Sequence, residues 1–436
     1  MGMDAERTTR FEAYINELAT VVGHEDRHEP MRAYCQGLVL PGDRKSVEPM
    51  AARVDPMHVQ SRHQSMHHFV ADSPWKDAEV MRVARNWALG AMEGQGPIEA
   101  WIVDDTGFPK KGVHSVGVAH HYCGALGKTA NSQCAVSVSL SNWVASIPGA
   151  FRLYLPEVWA KDMARREKAG VPESITFQTK WQIALELIDQ LEKDGIRKAA
   201  VLADAGYGDA TAFREGLSKR GFLYTVGVGP QVTVWATGEG PIIPPAPSKR
   251  RGRPATRLRR DAEHQPRNVK EVATALPKKA WQNVAWAEGT RGKLTSRFAA
   301  LRVRVASRDF KRTEVRDAEW LLIEWPEADA EPAKYWLSSE SAETSLLDLV
   351  AKAKLRWRVE RDYQELKDEI GLDHYEGRGW RGFHHHASLC IATYAFIVAE
   401  RARLSPPSPR ALFGIEELAV SICPRGRPTA DKSRTT

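Results

Sequence analysis

The chain has 436 residues, 42% of them hydrophobic, and 62 Lys and Arg against 55 Asp and Glu, a net charge of +7. That usage suits a folded protein with about two or three cores and excludes a low-complexity chain. Cys35, Cys123, Cys134, Cys390 and Cys423 are far apart with no CxxC pair, which excludes a disulfide framework or zinc knuckle and points to reduced thiols.

Residues 1–95 carry apolar residues at helical spacing: Phe11, Tyr14, Ile15 and Leu18, then Met31, Tyr34 and Leu38, then Val80, Val83, Ala84 and Trp87. A turn-rich joint is expected at Pro41–Met50, followed by the His-rich stretch His58–Phe69. His63, His67 and His68 lack a Cys or carboxylate to complete a metal set, so they read as surface or phosphate-facing groups. The start, MGMDAERTT, has no apolar core of a signal peptide. The longest apolar run, near Ala387–Ala399, is too short to cross a bilayer. The expectation is a soluble, intracellular protein with no membrane partner.

The pattern changes after Pro97. Ile98–Val103 predicts a strand that delivers Asp104 and Asp105 at its carboxyl end. Val113–Ala119 and Ala135–Leu140 predict further strands, with the polar stretch Gly127–Cys134 between them. A helix is expected around Lys180–Lys193. The strand Ala199–Ala203 then delivers Asp204, before a helix over Asp209–Arg220 and a strand over Phe222–Val228. Either aspartate alone is more often a turn former or helix cap than a ligand. Two of them ending apolar strands, where α/β sheets place their chemistry, carry more weight.

From 231 to 342 the sequence predicts a β-rich insertion, with strands at Trp281–Trp286, Phe298–Val305, Trp320–Trp325 and Tyr335–Leu337. Within it, Lys249–Arg260 (KRRGRPATRLRR) holds seven cations and no acid, equal to the whole net excess. Such a block points to a polyanionic partner. Residues 343–404 read as a helical block, and 405–436 as a flexible basic tail.

That block contains a helix with an apolar stripe at Val359, Tyr363, Leu366 and Ile370, ended by Gly371. Arg356, Glu360 and Lys367 fall four and seven residues apart, on nearly one meridian beside the stripe. Read alone, this is a solvated flank with a weak i,i+4 ion pair. With the two aspartates it becomes a candidate site. Phosphodiester chemistry at two divalent ions roughly 3.5–4 Å apart needs converging carboxylates, which Asp104, Asp204 and Glu360 could supply. Arg356 and Lys367 would hold phosphates by charge.

In order, VDDT at Asp104, VLADAGYG at Asp204 and RWRVE…K at Glu360 resemble the DDE transposases of bacterial insertion sequences. Arg356, Glu360 and Lys367 fit the spacing of their YREK-bearing group, with Ala353 where that group has its tyrosine. Lys110–Gln133 and Gly371–His386 also resemble one branch of the group, and the likeness spans roughly residues 30–404.

The resemblance implies an α/β, RNase H-like mixed sheet flanked by helices. The boundaries expected are a helical, DNA-binding N-terminal module (1–95), the first part of the catalytic domain (96–230), the β-rich insertion (231–342), the helical remainder of the catalytic domain (343–404) and the tail (405–436). It further implies metal-dependent DNA cleavage and strand transfer at the ends of an insertion sequence. Asp104, Asp204 and Glu360 would be both catalytic and metal-binding. Two Mg²⁺ ions are expected, with Mn²⁺ as a substitute. The partners implied are double-stranded DNA, as terminal repeats and target, and a second copy of the chain on that DNA. Asp104 is preferred over Asp105 because it directly follows Trp101–Val103 and leaves Thr106 two residues on.

Arg251-Gly252-Arg253-Pro254 and Arg425-Gly426-Arg427-Pro428 resemble AT-hooks, which lay arginines in a narrow minor groove. Lys249, Arg250, Arg251, Arg253, Arg257, Arg425 and Arg427 therefore join Arg356 and Lys367 as expected DNA contacts. Other readings of the chain are a catalytically silent DNA-binding relative of such enzymes and an RNase H-like DNA endonuclease outside transposition. Loss of a metal ligand would mark the first, and all three candidates are intact. The second would have no need of the helical N-terminal module or the basic insertion.

Overall fold

The computed structural model describes residues 2–244, 256–289 and 292–405. The chain divides into one unit of Met1–Tyr224 with Leu355–Pro406 and a second built on Thr225–Lys354.

In the first unit, α1 (Gly2–Val22), α2 (His28–Val39), α3 (Val47–Val54), α4 (Val59–Ala71) and α5 (Asp77–Met92) follow one another. Their apolar faces are the ones expected: Tyr14, Ile15, Leu18, Met31, Tyr34, Leu38, Val80, Val83 and Ala84 are buried. The His-rich stretch forms α4.

Four strands follow as an antiparallel run: β1 (Ala100–Pro109), β2 (Ala119–Cys123), β3 (Lys128–Ser141) and β4 (Ser146–Leu153). β3 pairs with β1 on one edge, and with β2 and then β4 along the other. After the short helices α6 (Glu157–Ala160) and α7 (Met163–Lys168) comes α8 (Lys180–Lys193), opened by a capping box of Thr179 and Gln182. Then β5 (Ala200–Ala203) lies parallel to β1, in the register Ala100↔Ala200 to Ile102↔Leu202. α9 (Ala205–Gly208) and α10 (Thr211–Lys219) complete this stretch. An antiparallel run with a parallel strand added beside its first member is the RNase H-like mixed sheet.

Four local expectations are corrected. Val113–Val118 is irregular rather than a strand, with Val116 N bonded to Arg378 O. Most of the polar stretch Gly127–Cys134 is strand, because β1 and β2 supply ladder partners for its backbone groups on both sides. β4, which the pattern did not suggest, forms because β3 offers it a free edge. β1 does not stop at Asp104; it runs on to Pro109 along β3.

The second unit begins with β6 (Tyr224–Val228), β7 (Thr233–Trp235), β8 (Arg267–Asn268) and α11 (Val269–Thr274). It continues with β9 (Gln282–Gly289), β10 (Gly292–Val305), β11 (Glu319–Trp325), β12 (Lys334–Ser338) and α12 (Leu346–Leu355). The antiparallel order is β6-β12-β11-β10-β7-β8, with β9 also on β10. Alternation along β11 sorts its side chains. Leu321 and Ile323 join a cluster with Val269 and Val272 of α11, and Leu322 joins another with Leu349 and Val350 of α12. A buried ion pair ties α12 to the sheet, with Lys354 Nζ 2.7 Å from both oxygens of Glu324.

The first unit closes with α13 (Trp357–Asp368) and α14 (Trp380–Leu404). The helical block is thus three helices. α13 ends near Gly371, which adopts the left-handed φ of 81° expected of it. α14 is buried along most of its length and packs on α1, α2, α4, α5 and β4. Among the described residues no helix is long and apolar enough to cross a membrane.

Candidate active site

The register of β1 with β5 sets the first two carboxylates. Continued two residues past Ile102↔Leu202, it brings Asp104 level with Asp204, one just beyond the shared ladder and the other just beyond the strand. Asp204 keeps an extended backbone and caps α9 through its contact with Tyr207 N at 3.3 Å. Gly206 leaves room for that carboxylate, since a Cβ there would lie 3.2 Å from Asp204 Oδ1.

Strand alternation separates Asp104 from Asp105. Asp104 accepts a hydrogen bond from Asp105 N at 2.9 Å and meets Arg356 Nη1 at 3.0 Å. Asp105 pairs instead with Lys180 Nζ of α8 at 2.7 Å and accepts from the Cys134 thiol at 3.0 Å. Burial pushes the Asp104 carboxyl up to about 7; Arg356 opposes the rise, and the charges of Asp204 and Asp105 add to it.

α13 carries the third carboxylate. Its stripe residues Val359, Tyr363 and Leu366 are buried, as is Ile370 just beyond. Polar anchors fix it against the turn between β3 and β4. Arg358 Nη1 donates to Val144 O at 2.9 Å, and Asp362 accepts from Ser146 Oγ at 2.5 Å and from Tyr394 Oη at 3.0 Å. Glu360 remains 63% exposed at its side chain and binds Arg356 Nη2 at 2.6 Å. One guanidinium therefore bridges Asp104 and Glu360.

Lys367 does not meet Glu360. Its Nζ donates to Gly107 O at 2.9 Å, and burial holds its pKa below the ordinary lysine value. Lys110, which sequence reasoning did not single out, is the companion cation. It follows β1 directly, donates to Tyr375 O at 2.7 Å and is likewise lowered by burial. Its place in the pair Lys110-Lys111 was the signal the sequence offered; that a strand runs up to it came only with the structure. Tyr207 was also missed; its buried hydroxyl has no hydrogen-bond partner among the described residues and lies in the field of Asp104, Asp105 and Asp204.

Of the other expected DNA contacts, Arg257 is exposed. Lys249, Arg250, Arg251, Arg253, Arg425 and Arg427 lie outside the described residues. Arg260, which ends the basic run, is structural: its Nη2 meets Asp309 Oδ1 at 2.6 Å, and Asp309 also accepts from Trp235 Nε1 at 2.8 Å. The three histidines of α14 are packing groups. His385 stacks on Trp75 at 3.6 Å between ring centres, and His386 bonds Tyr34 Oη and Gly371 O.

Among the described residues no three His, Cys, Asp or Glu side chains converge on one point where an ion could sit. The donor chemistry nonetheless suits a hard divalent cation. Two carboxylates sit side by side, one of them only 15% exposed, and a cationic side chain already occupies the position beside them.

Residues 17–293 match the family model described as DDE superfamily endonuclease, well over half of the chain. The chain belongs to the DDE superfamily endonuclease family. Asp104 and Asp204 lie inside the matched segment; Glu360 lies beyond it. This family member is also 35% identical over 148 residues to a "Probable transposase for insertion sequence element IS701" of Microchaete diplosiphon. That alignment covers 34% of this chain and 35% of the relative, so the chain spans about a third of the curated relative it matches.

Proposed function

We propose that this chain is a transposase that cleaves DNA at the ends of an insertion sequence and joins them to a target in a cut-and-paste reaction. Asp104, Asp204 and Glu360 act as its catalytic, metal-binding carboxylates. The observation that carries the reading is the largely covered Asp104 carboxyl level with Asp204, just past the ladder shared by two parallel strands, with Glu360 reached through a shared arginine. Membership of the DDE superfamily endonuclease family and the likeness to an insertion-sequence transposase support it.

Two Mg²⁺ ions, replaceable by Mn²⁺, would supply the activation of a water or sugar hydroxyl and the charge that stabilises the leaving oxygen. The chain's own part is positional. The β1–β5 register holds two acids at one level, and α13 presents the third from a helix locked by Arg358 and Asp362. Lys367 and Lys110 place two half-buried cations at the far end of β1, where a DNA phosphate on its way to the acids would be held. The helical N-terminal segment and the basic run would grip the duplex, with a second copy of the chain on the same DNA.

The test is cleavage of a duplex carrying the inverted repeats that flank the coding region. Asp104→Asn, Asp204→Asn and Glu360→Gln should each lower Mg²⁺-dependent cleavage on the order of a thousandfold or more while DNA binding persists. Full cleavage by any one of them removes that residue from the set.

A further inference from the structure

The place where the three acids would have to converge is held by a side chain of the protein. Arg356 directs Nη1 to Asp104 Oδ2 at 3.0 Å and Nη2 to Glu360 Oε1 at 2.6 Å, so the two ends of one planar fork are committed to two different carboxylates. The two links differ in strength. Glu360 is 63% exposed and its i,i+4 contact is a weak solvated pair. Asp104 is only 15% exposed and lies beside Asp204, so its contact answers a real need: two acids held together away from water require a neighbouring cation.

An arginine bound in this way conflicts with the site's other tasks. The Asp104 oxygen that faces the guanidinium cannot face a divalent ion at the same time. A guanidinium shared by two carboxylates is also not free to hold a phosphate. Resting on the active-site reading above, we propose that Arg356 is the resident counter-cation of the metal-free site. It competes with the divalent ion for Asp104 and Glu360, and metal binding displaces it. Displacement has two consequences. Glu360 is freed to turn toward the aspartates, and a guanidinium is released beside the metals as they arrive. The site therefore stays electrostatically satisfied without metal, and it presents its phosphate-binding arginine only once metal is loaded.

The experiment measures Mn²⁺ binding to the full-length chain without DNA, by the electron paramagnetic resonance signal of free Mn²⁺, for wild type, Arg356→Gln, Arg356→Lys and Asp104→Asn. Arg356→Gln should bind Mn²⁺ about tenfold more tightly or better, because a hydrogen bond to a charged group no longer has to be broken first. Arg356→Lys, whose single ammonium cannot span both acids, should tighten binding by less. It also serves as the second variant if the glutamine form does not fold. Asp104→Asn should weaken binding. Wild-type affinity in Asp104→Asn would overturn the active-site reading, and this inference with it. Weakened binding in Asp104→Asn, combined with unchanged or weaker binding in the folded Arg356 variants, would overturn the counter-cation role alone. A mere phosphate contact would leave Mn²⁺ affinity without DNA unmoved.

Discussion

Asp105 and Lys180 form an ion pair of 2.7 Å on the opposite face of β1 from the contact between Asp104 and Arg356. Adjacent aspartates on one strand thus face different partners, since successive side chains alternate across a sheet. Asp105 is committed to α8 and to Cys134, and Asp104 to the helix that carries Glu360.

The neighbouring acids should therefore respond differently to the same change. Asp105→Asn should keep cleavage within about tenfold of wild type, while Asp104→Asn loses on the order of a thousandfold. The partly exposed ion pair with Lys180 should cost no more than about 1 kcal/mol of stability. Gel-resolved cleavage and thermal melting of both variants check this. Equal losses of cleavage would mean that either the pair of acids acts together or Asp105 is the ligand.

The basic run should act through phosphate charge. Changing Arg251 and Arg253 to Ala should weaken DNA binding and lessen its log–log salt slope by roughly 1–2 units. If the Gly-Arg-Pro segment lies in the minor groove, the loss should be greater on an A·T-rich than on a G·C-rich duplex. Binding across a salt series on both duplexes measures it. Arg260→Ala should behave differently and cost stability, because Asp309 would be left buried and uncompensated.

His386 should make the fold sensitive to acid. Tyr34 Oη at 2.8 Å can donate to its Nδ1, and its Nε2–H can donate to Gly371 O at 3.1 Å, an arrangement that satisfies the neutral ring. Burial lowers its pKa from the ordinary 6.5 to about 4. With the folded value below the unfolded one, the neutral ring's contribution is fully present above about pH 6.5. It is lost as pH falls toward about 4, by up to roughly 3 kcal/mol. His386→Asn should lower stability at pH 7.5 and flatten that slope. Urea unfolding at several pH values measures both, and parallel slopes for the two proteins would clear His386 of the effect.

In the second unit, Lys354 and Glu324 should tolerate joint replacement better than single replacement. Lys354→Met leaves a carboxylate that is 3% exposed without its closest cation, at a cost of about 3–5 kcal/mol. Adding Glu324→Leu should recover much of that loss, since position 324 pairs across the ladder with Phe298 and shares a strand face with Leu322, both members of a buried apolar cluster. Denaturant midpoints of the single and double variants decide it; an additive pair would show that the two charges are not coupled.

Local spacing in the sequence was enough for several of these elements. Val359, Tyr363, Leu366 and Ile370 recur at helical intervals, so the buried face of α13 and the shared meridian of Arg356, Glu360 and Lys367 follow from helix geometry alone. Gly371 announces the end of that stretch, and apolar runs leading to Asp104 and Asp204 announce two strands that each deliver an acid. The order of the three motifs was sufficient for the family resemblance. What depends on distant partners was decided only by the tertiary structure. β3 gave the polar stretch before Cys134 its place in the sheet and gave β4 an edge, and a strand's ladder partners cannot be read from its own residues. The β1–β5 register set Asp104 level with Asp204. Lys367 found the backbone of Gly107 instead of Glu360. Arg356 and Glu360 are four residues apart, so their contact was legible from spacing. Arg356 and Asp104 are far apart in the chain, and only the folding of α13 against β1 and β4 could bring one guanidinium to both acids.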